Sequence, residues 1–140
     1  MTSPKSKPRI LIADDNQDLA KIMRVVLNDA GFEVHAVYSG KDALDWLAGN
    51  TPDVLILDLM MPDVSGFTIL RQLRASENPN PLPVIVLTAR SDPEARTESQ
   101  SAGANAFITK PINSKALVEH VRQALALRAK APPASNANRV

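Results

Sequence analysis

Four short apolar runs in this chain each end on polar residues. Ile10-Leu11-Ile12-Ala13 leads into Asp14-Asp15, and Val54-Leu55-Ile56-Leu57 into Asp58. Val84-Ile85-Val86-Leu87 leads into Thr88, and Ala106-Phe107-Ile108-Thr109 into Lys110-Pro111. Unbroken β-branched runs of this length predict strands buried on both faces of a parallel sheet, over 9–14, 53–58, 83–88 and 105–110. Phe32 to Tyr38 alternates Val34, Ala36 and Tyr38 with Glu33, His35 and Val37, which predicts a less buried strand at an edge.

Helical spacing fills the gaps. Asn16 is placed to cap a helix whose apolar residues are Leu19, Ile22, Met23, Val26, Leu27 and Ala30, and Gly31 stops it. Ser39 caps a second helix with Ala43, Leu44, Trp46 and Leu47, ended by Asn50-Thr51-Pro52. After the loop 61–66, Phe67, Ile69, Leu70 and Leu73 line a third helix to about Ser76. Pro93 opens a polar fourth helix that Gly103 ends, and Leu117, Val118, Val121, Leu125 and Leu127 mark a fifth from Asn113 or Ser114 to about Arg128. The segment 77–83 holds three prolines and reads as a connector.

Strands joined by helices cross over right-handedly, so the sheet is parallel and covered on both sides. Five such units in so short a chain suit a doubly wound α/β sheet, since a barrel needs about 250 residues. The expected organisation is a tail over 1–8, one domain over 9–128, and a flexible tail or linker stub over 129–140.

Charge sharpens the picture. The net charge is only +1, but nine of the sixteen basic residues lie within 1–9 and 110–140, leaving seven among fourteen acids in the middle. The central region is acidic, as a cation-binding edge would be. The basic ends carry no recognisable nucleic-acid motif, so no DNA binding is expected. No cysteine is present, which excludes disulfides and thiolate metal sites. No apolar stretch approaches the roughly 18 residues of a membrane span, and a cytoplasmic location is expected.

In doubly wound sheets, ligands bind at the carboxyl ends of the strands. The pattern therefore brings Asp14, Asp15, Asp58, Thr88 and Lys110 to one edge. Alone, each has an ordinary explanation: a solvated turn, a loop acid, a strand-end hydroxyl, a surface lysine. Together at four strand ends, three carboxylates, a hydroxyl and an ammonium make a site for a divalent cation and a phosphoryl group.

The motifs Ile-Ala-Asp-Asp, Leu-Asp-Leu-Met-Met-Pro-Asp-Val-Ser-Gly-Phe, Leu-Thr-Ala and Ala-Gly-Ala-Asn-Ala-Phe-Ile-Thr-Lys-Pro stand here in the order and spacing of one family. Over about residues 8–128 the chain resembles a response-regulator receiver domain of the chemotaxis-regulator kind, from two-component phosphorelays. The resemblance implies a flavodoxin-like fold with strand order 2-1-3-4-5. It implies that Asp58 accepts a phosphoryl group from a sensor histidine kinase or phosphotransfer protein. It implies Mg²⁺, with Mn²⁺ able to substitute, on Asp15 and Asp58, on Asp14 largely through water, and on the Met60 carbonyl. Lys110 would pair with Asp58, Thr88 would donate to the phosphoryl group, and a cis bond would precede Pro111. Phe107 would turn inward with Thr88, switching a docking face of the fourth helix, fifth strand and fifth helix toward a target protein or a second copy. Met60 and Arg90 would flank the pocket and tune loss of the phosphoryl group.

The resemblance implies a switch, not an enzyme, beyond self-phosphorylation and slow self-dephosphorylation, with no output domain on the chain. Two alternatives remain: a non-phosphorylated docking or dimerisation module, and an Mg²⁺-dependent aspartyl-phosphate phosphatase. The latter typically has a second acid two residues past the nucleophile, where this chain has Met60. The fourth helix departs from the pattern, with Thr97 and Gln100 where apolar residues are usual, and is expected to be loosely held. His35 and His120 lack metal-ligand partners at suitable spacing and read as structural.

Overall fold

The computed structural model describes residues 7–76 and 81–130, with the backbone alone for 128–130. The expected tails therefore lie largely outside the described residues, as do 77–80 of the connector. Five strands and five helices alternate: β1 (Arg9–Ala13), α1 (Gln17–Asp29), β2 (Glu33–Val37), α2 (Gly40–Gly49), β3 (Val54–Leu57), α3 (Gly66–Ala75), β4 (Val84–Thr88), α4 (Pro93–Ala102), β5 (Ala106–Thr109) and α5 (Ser114–Lys130). All pairings are parallel, in the order β2-β1-β3-β4-β5. The elements are those the sequence pattern predicts, and the order is the one the family resemblance implies. Most strands are a residue or two shorter than the apolar runs suggest, because Asp14, Asp58 and Lys110 sit just past the last paired residues.

The two-residue period of the strands divides the interior into two cores. Ile10, Ile12, Val54, Ile56, Ile85 and Leu87 face α1 and α5, where Met23, Leu27, Leu117 and Val121 meet them. Leu11, Leu55, Leu57, Val84 and Val86 face the other way, against Ala43, Phe67, Ile69, Leu70 and Ala95 of α2, α3 and α4. The strand runs are apolar throughout because both faces are covered.

Two expected core residues are not in the core. Ile22 of α1 is 60% exposed, and Leu127 of α5 is 53% exposed. Ala20, Met23 and Leu27 define the buried line of α1. At about 100° per residue, Ile22 lies about 130° round the axis from that line. Leu117, Val121 and Ala124 define the buried line of α5.

The polar α4 is seated by small residues instead of large apolar ones. Ala95 and Ser99 are fully buried, and the Ser99 hydroxyl donates to the Ala95 carbonyl (2.7 Å). Gly103 ends the helix at φ +104°, a conformation that favours glycine. Arg74 of α3 locks that end in place. It donates to the carbonyls of Gly103 (2.9 Å) and Leu82 (2.7 Å) and to Asn105 Oδ1 (3.0 Å). His35 stacks on Trp46, with ring centroids 5.3 Å apart, in keeping with a structural role.

Candidate functional site

The carboxyl ends of β1, β3, β4 and β5 bring Asp14, Asp15, Asp58, Thr88 and Lys110 together. Hydrogen bonds across the sheet set Asp14, Asp58 and Lys110 in line. The Asp14 N–H donates to Val37 O (3.1 Å), the Asp58 N–H to Ala13 O (2.9 Å), and the Lys110 N–H to Thr88 O (2.8 Å). Each of these three is thus hung on the neighbouring strand. Behind Asp58, Gly66 opens α3 against the chain: a Cβ there would lie 2.4 Å from the Asp58 carbonyl oxygen. Only glycine lets α3 start so close to the site.

One carboxylate oxygen from each of Asp14, Asp15 and Asp58 falls within a 4.8 Å cluster. Asp14 and Asp58 are 2% and 4% exposed, whereas Asp15 faces solvent. Lys110 Nζ lies 2.8 Å from Asp14 Oδ2 and 2.9 Å from Asp58 Oδ2. The expected partner was Asp58 alone; the ammonium bridges both acids. The remaining oxygens are held by backbone donors, the Asn16 N–H on Asp14 Oδ1 (2.9 Å) and the Met60 N–H on Asp58 Oδ1 (3.0 Å).

Burial pushes the Asp14 carboxyl above the usual carboxylate range. The Lys110 and Asn16 hydrogen bonds oppose this, and the charge on Asp58 adds to it. A raised acid is what three adjoining carboxylates suggest, but here desolvation outweighs mutual repulsion. Burial also works against the Lys110 charge, yet hydrogen bonds to Asp14 and Asp58 outweigh it and hold its pKa above the ordinary value.

Thr88 is fully buried, and its Oγ1 accepts the Arg90 N–H (3.3 Å). The Lys110–Pro111 peptide is cis. Met60 is exposed, and with Asp15, Phe67 and Arg90 it lines an open groove of about 360 Å³ beside the acids. Phe107 pairs in register with Val86, is half-buried against the α2–α4 core, and lies under the Arg96 guanidinium at 4.7 Å.

Three contributors escaped sequence reasoning. Asp63 accepts the N–H groups of Gly40 (2.9 Å) and Lys41 (2.8 Å), tying the β3–α3 loop to the start of α2. Asp92 caps α4 and binds Arg90. Arg74 joins α3 to the α4–β5 turn. The Asp92-Pro93 step carries a helix-start signal; the other two contacts span 22 to 31 residues and have no local signature.

A parallel five-stranded sheet with an acidic, lysine-bridged cluster at its carboxyl edge defines a phosphorelay receiver, and the comparisons agree. The family model described as response regulator receiver domain matches residues 10–122, and the chain belongs to that family, part of two-component signalling. It is 37% identical over 117 residues to the response regulator MprA of Mycobacterium tuberculosis, covering 84% of this chain and 50% of that protein. It is 34% identical to the response regulator ArlR of Staphylococcus saprophyticus, covering 84% and 52%. The chain thus spans about half the length of these curated relatives. Among solved structures, a CheY-like receiver domain protein of Methanospirillum hungatei superposes with TM-score 0.84 at 26% identity, covering 91% of this chain and 100% of that one. A putative response regulator of Chloroflexus aurantiacus gives TM-score 0.81 at 36% identity, covering 86% and 99%.

Proposed function

We propose that the chain is a phosphorylation switch whose acceptor is Asp58, with the receiver over 9–128. The observation that carries this is the lysine bridge between two buried acids beside an exposed third. An Asp58 carboxylate oxygen attacks the phosphorus of a phosphohistidine on a sensor kinase or phosphotransfer protein. The P–O bond forms, the P–N bond breaks, and the imidazole leaves with its electron pair and takes a proton from water. Phosphoryl transfer is catalysed mainly by positioning and by neutralising charge on the equatorial oxygens. Lys110, already on Asp58, supplies one cation to those oxygens, and the buried Thr88 hydroxyl supplies a donor. The hard oxygen donors of Asp14, Asp15, Asp58 and the Met60 carbonyl suit Mg²⁺, or Mn²⁺ in its place, which when bound would neutralise the acids and the incoming phosphoryl charge.

Movement of Thr88 toward the phosphoryl group would vacate space toward Phe107 on the neighbouring strand. That would alter the face of α4, β5 and α5 offered to a target protein or a second copy. The reading is of a switch whose only chemistry is gaining and slowly losing one phosphoryl group. No helix among the described residues is long and apolar enough to cross a membrane, which is consistent with a cytoplasmic site of action.

Intact-mass spectrometry after incubation with acetyl phosphate and Mg²⁺ tests the reading. The expected result is the gain of one phosphoryl group, absent with chelator and in Asp58→Asn. No gain with any small phosphodonor or with a histidine phosphodonor protein overturns it.

A further inference from the structure

The groove beside Asp58 holds a second cation, and its partner lies outside the acidic cluster. Arg90 lines the groove with Asp15 and Met60. Its guanidinium is engaged by Asp92: Nε donates to Oδ1 (3.0 Å) and Nη2 to Oδ2 (2.8 Å). The same Asp92 Oδ2 accepts the Ala95 N–H (3.1 Å) and so caps α4. One carboxylate therefore closes the β4–α4 loop and starts the helix. Ala95 is fully buried, so this carboxylate also fixes where the first turn of α4 meets the core. Glu94 and Glu98 add their fields to that of Asp92 and favour the Arg90 charge on the helix side.

The pair is open to competition. Its side chains are 35% and 39% exposed, so water screens it. A phosphoryl group on Asp58 would bring nearly two negative charges and three strong acceptor oxygens into a drier place. Lys110 and Thr88 are placed to serve two of those oxygens. Charge-assisted bonds from a guanidinium to phosphoryl oxygen are among the strong ones.

We propose that Arg90 ties the state of Asp58 to the start of α4: with Asp58 phosphorylated, its guanidinium leaves Asp92 for a phosphoryl oxygen, and the loop 89–92 is no longer closed on its own helix cap. The inference rests on the function proposed above and adds how that state reaches the helix.

Intact mass and ¹⁵N NMR on the same samples, held in excess acetyl phosphate and Mg²⁺, test it. Spectra are scaled to the phosphorylated fraction. In the unaltered chain the Arg90 Nε–H and Ala95 amide resonances both shift on phosphorylation. In Arg90→Gln the Ala95 shift falls to less than roughly a third. Asp92→Asn keeps an oxygen for the cap but removes the charged competitor. It lengthens the acyl-phosphate lifetime roughly threefold or more, the scale of one partly screened charged contact, and adding Arg90→Gln abolishes that gain. A full Ala95 shift in Arg90→Gln, or equal lifetimes in Asp92→Asn and the double variant, overturns the coupling while leaving Asp58 as acceptor. No mass gain in the unaltered chain overturns the Asp58 reading itself, and the coupling with it.

Discussion

Asp14 and Asp58 share a single ammonium, with Lys110 Nζ 2.8 Å from an oxygen of one and 2.9 Å from an oxygen of the other. Two ionised buried carboxylates on one cation leave a net negative charge before Asp15 is counted. Such a cluster is held in tension, since removing the cation strands two desolvated charges.

Lys110→Met should therefore destabilise the chain by about 3 kcal/mol at neutral pH without divalent cation. The deficit should shrink on acidification: the Asp14 carboxyl, already raised by burial, loses the Lys110 hydrogen bond that holds it down, and its protonation in the folded state relieves the repulsion as pH falls. Added Mg²⁺ should restore part of it. Urea unfolding at pH 7.5 and 5, with and without Mg²⁺, measures all three; a deficit that does not change with pH would mean the ammonium acts by packing alone.

At Asp63 the pKa shift runs opposite to that at Asp14. Hydrogen bonds from the Lys41 and Gly40 N–H groups hold its carboxyl below the usual carboxylate range. A depressed folded pKa contributes stability that is present above the unfolded value and lost as pH falls through the folded one. Asp63→Ala should be less stable than the parent at pH 7, and the gap should close in strong acid. Equal pH dependence of the two proteins in denaturant melts would show that the tether contributes nothing to folding.

Arg74 is bonded by three neutral acceptors, and burial lowers its pKa from the ordinary value. Removing it should cost about 2 kcal/mol, because the Gly103 and Leu82 carbonyls lose a charged donor. Lysine should not rescue it, since one ammonium cannot reproduce a planar fork spanning three sites. Hydrogen exchange should rise first at the α4–β5 turn, and uniform acceleration across the sheet would contradict a local role.

Ile22 and Leu27 share α1 and should respond very differently to truncation. Leu27→Ala should cost about 2–5 kcal/mol, the range for a buried leucine, and Ile22→Ala less than about 0.5 kcal/mol. Thermal or urea melts of the two variants measure it. A large loss at Ile22 would place it in a core that the structure does not assign it to.

That pair also shows what the sequence made legible. The strands were legible because β-branched residues fill both faces of a covered sheet, and the site followed because a parallel sheet collects the strand ends. The caps Asn16 and Ser39 were legible from local chemistry, and each accepts the expected N–H, from Leu19 and Asp42. Helical spacing showed that α1 has an apolar stripe but not where its centre lies, so Ile22 was placed inside. The seating of α4 on Ala95 and Ser99 has no apolar stripe to announce it, because small residues can seat a helix closely without large apolar ones. The contacts of Asp63, Arg74 and Arg96 depend on side chains reaching across the fold to distant backbone or rings, which no local pattern encodes.

The division of the strands into two faces carries one more consequence. Thr88 and Phe107 follow Val84 and Val86 onto the side of α2, α3 and α4, whereas Ile85 and Leu87 belong to the side of α1 and α5. If the proposed switch operates, a sheet one residue thick separates a chassis from a dial. On the proposed switch, substitutions at Ile85 or Leu87 should change only how firmly the chassis holds, whereas substitutions at Val86, itself fully buried, should change both stability and how far the dial turns. Two neighbours on one strand could then be altered for different ends, and a lineage carrying such a switch could retune its output without rebuilding its frame.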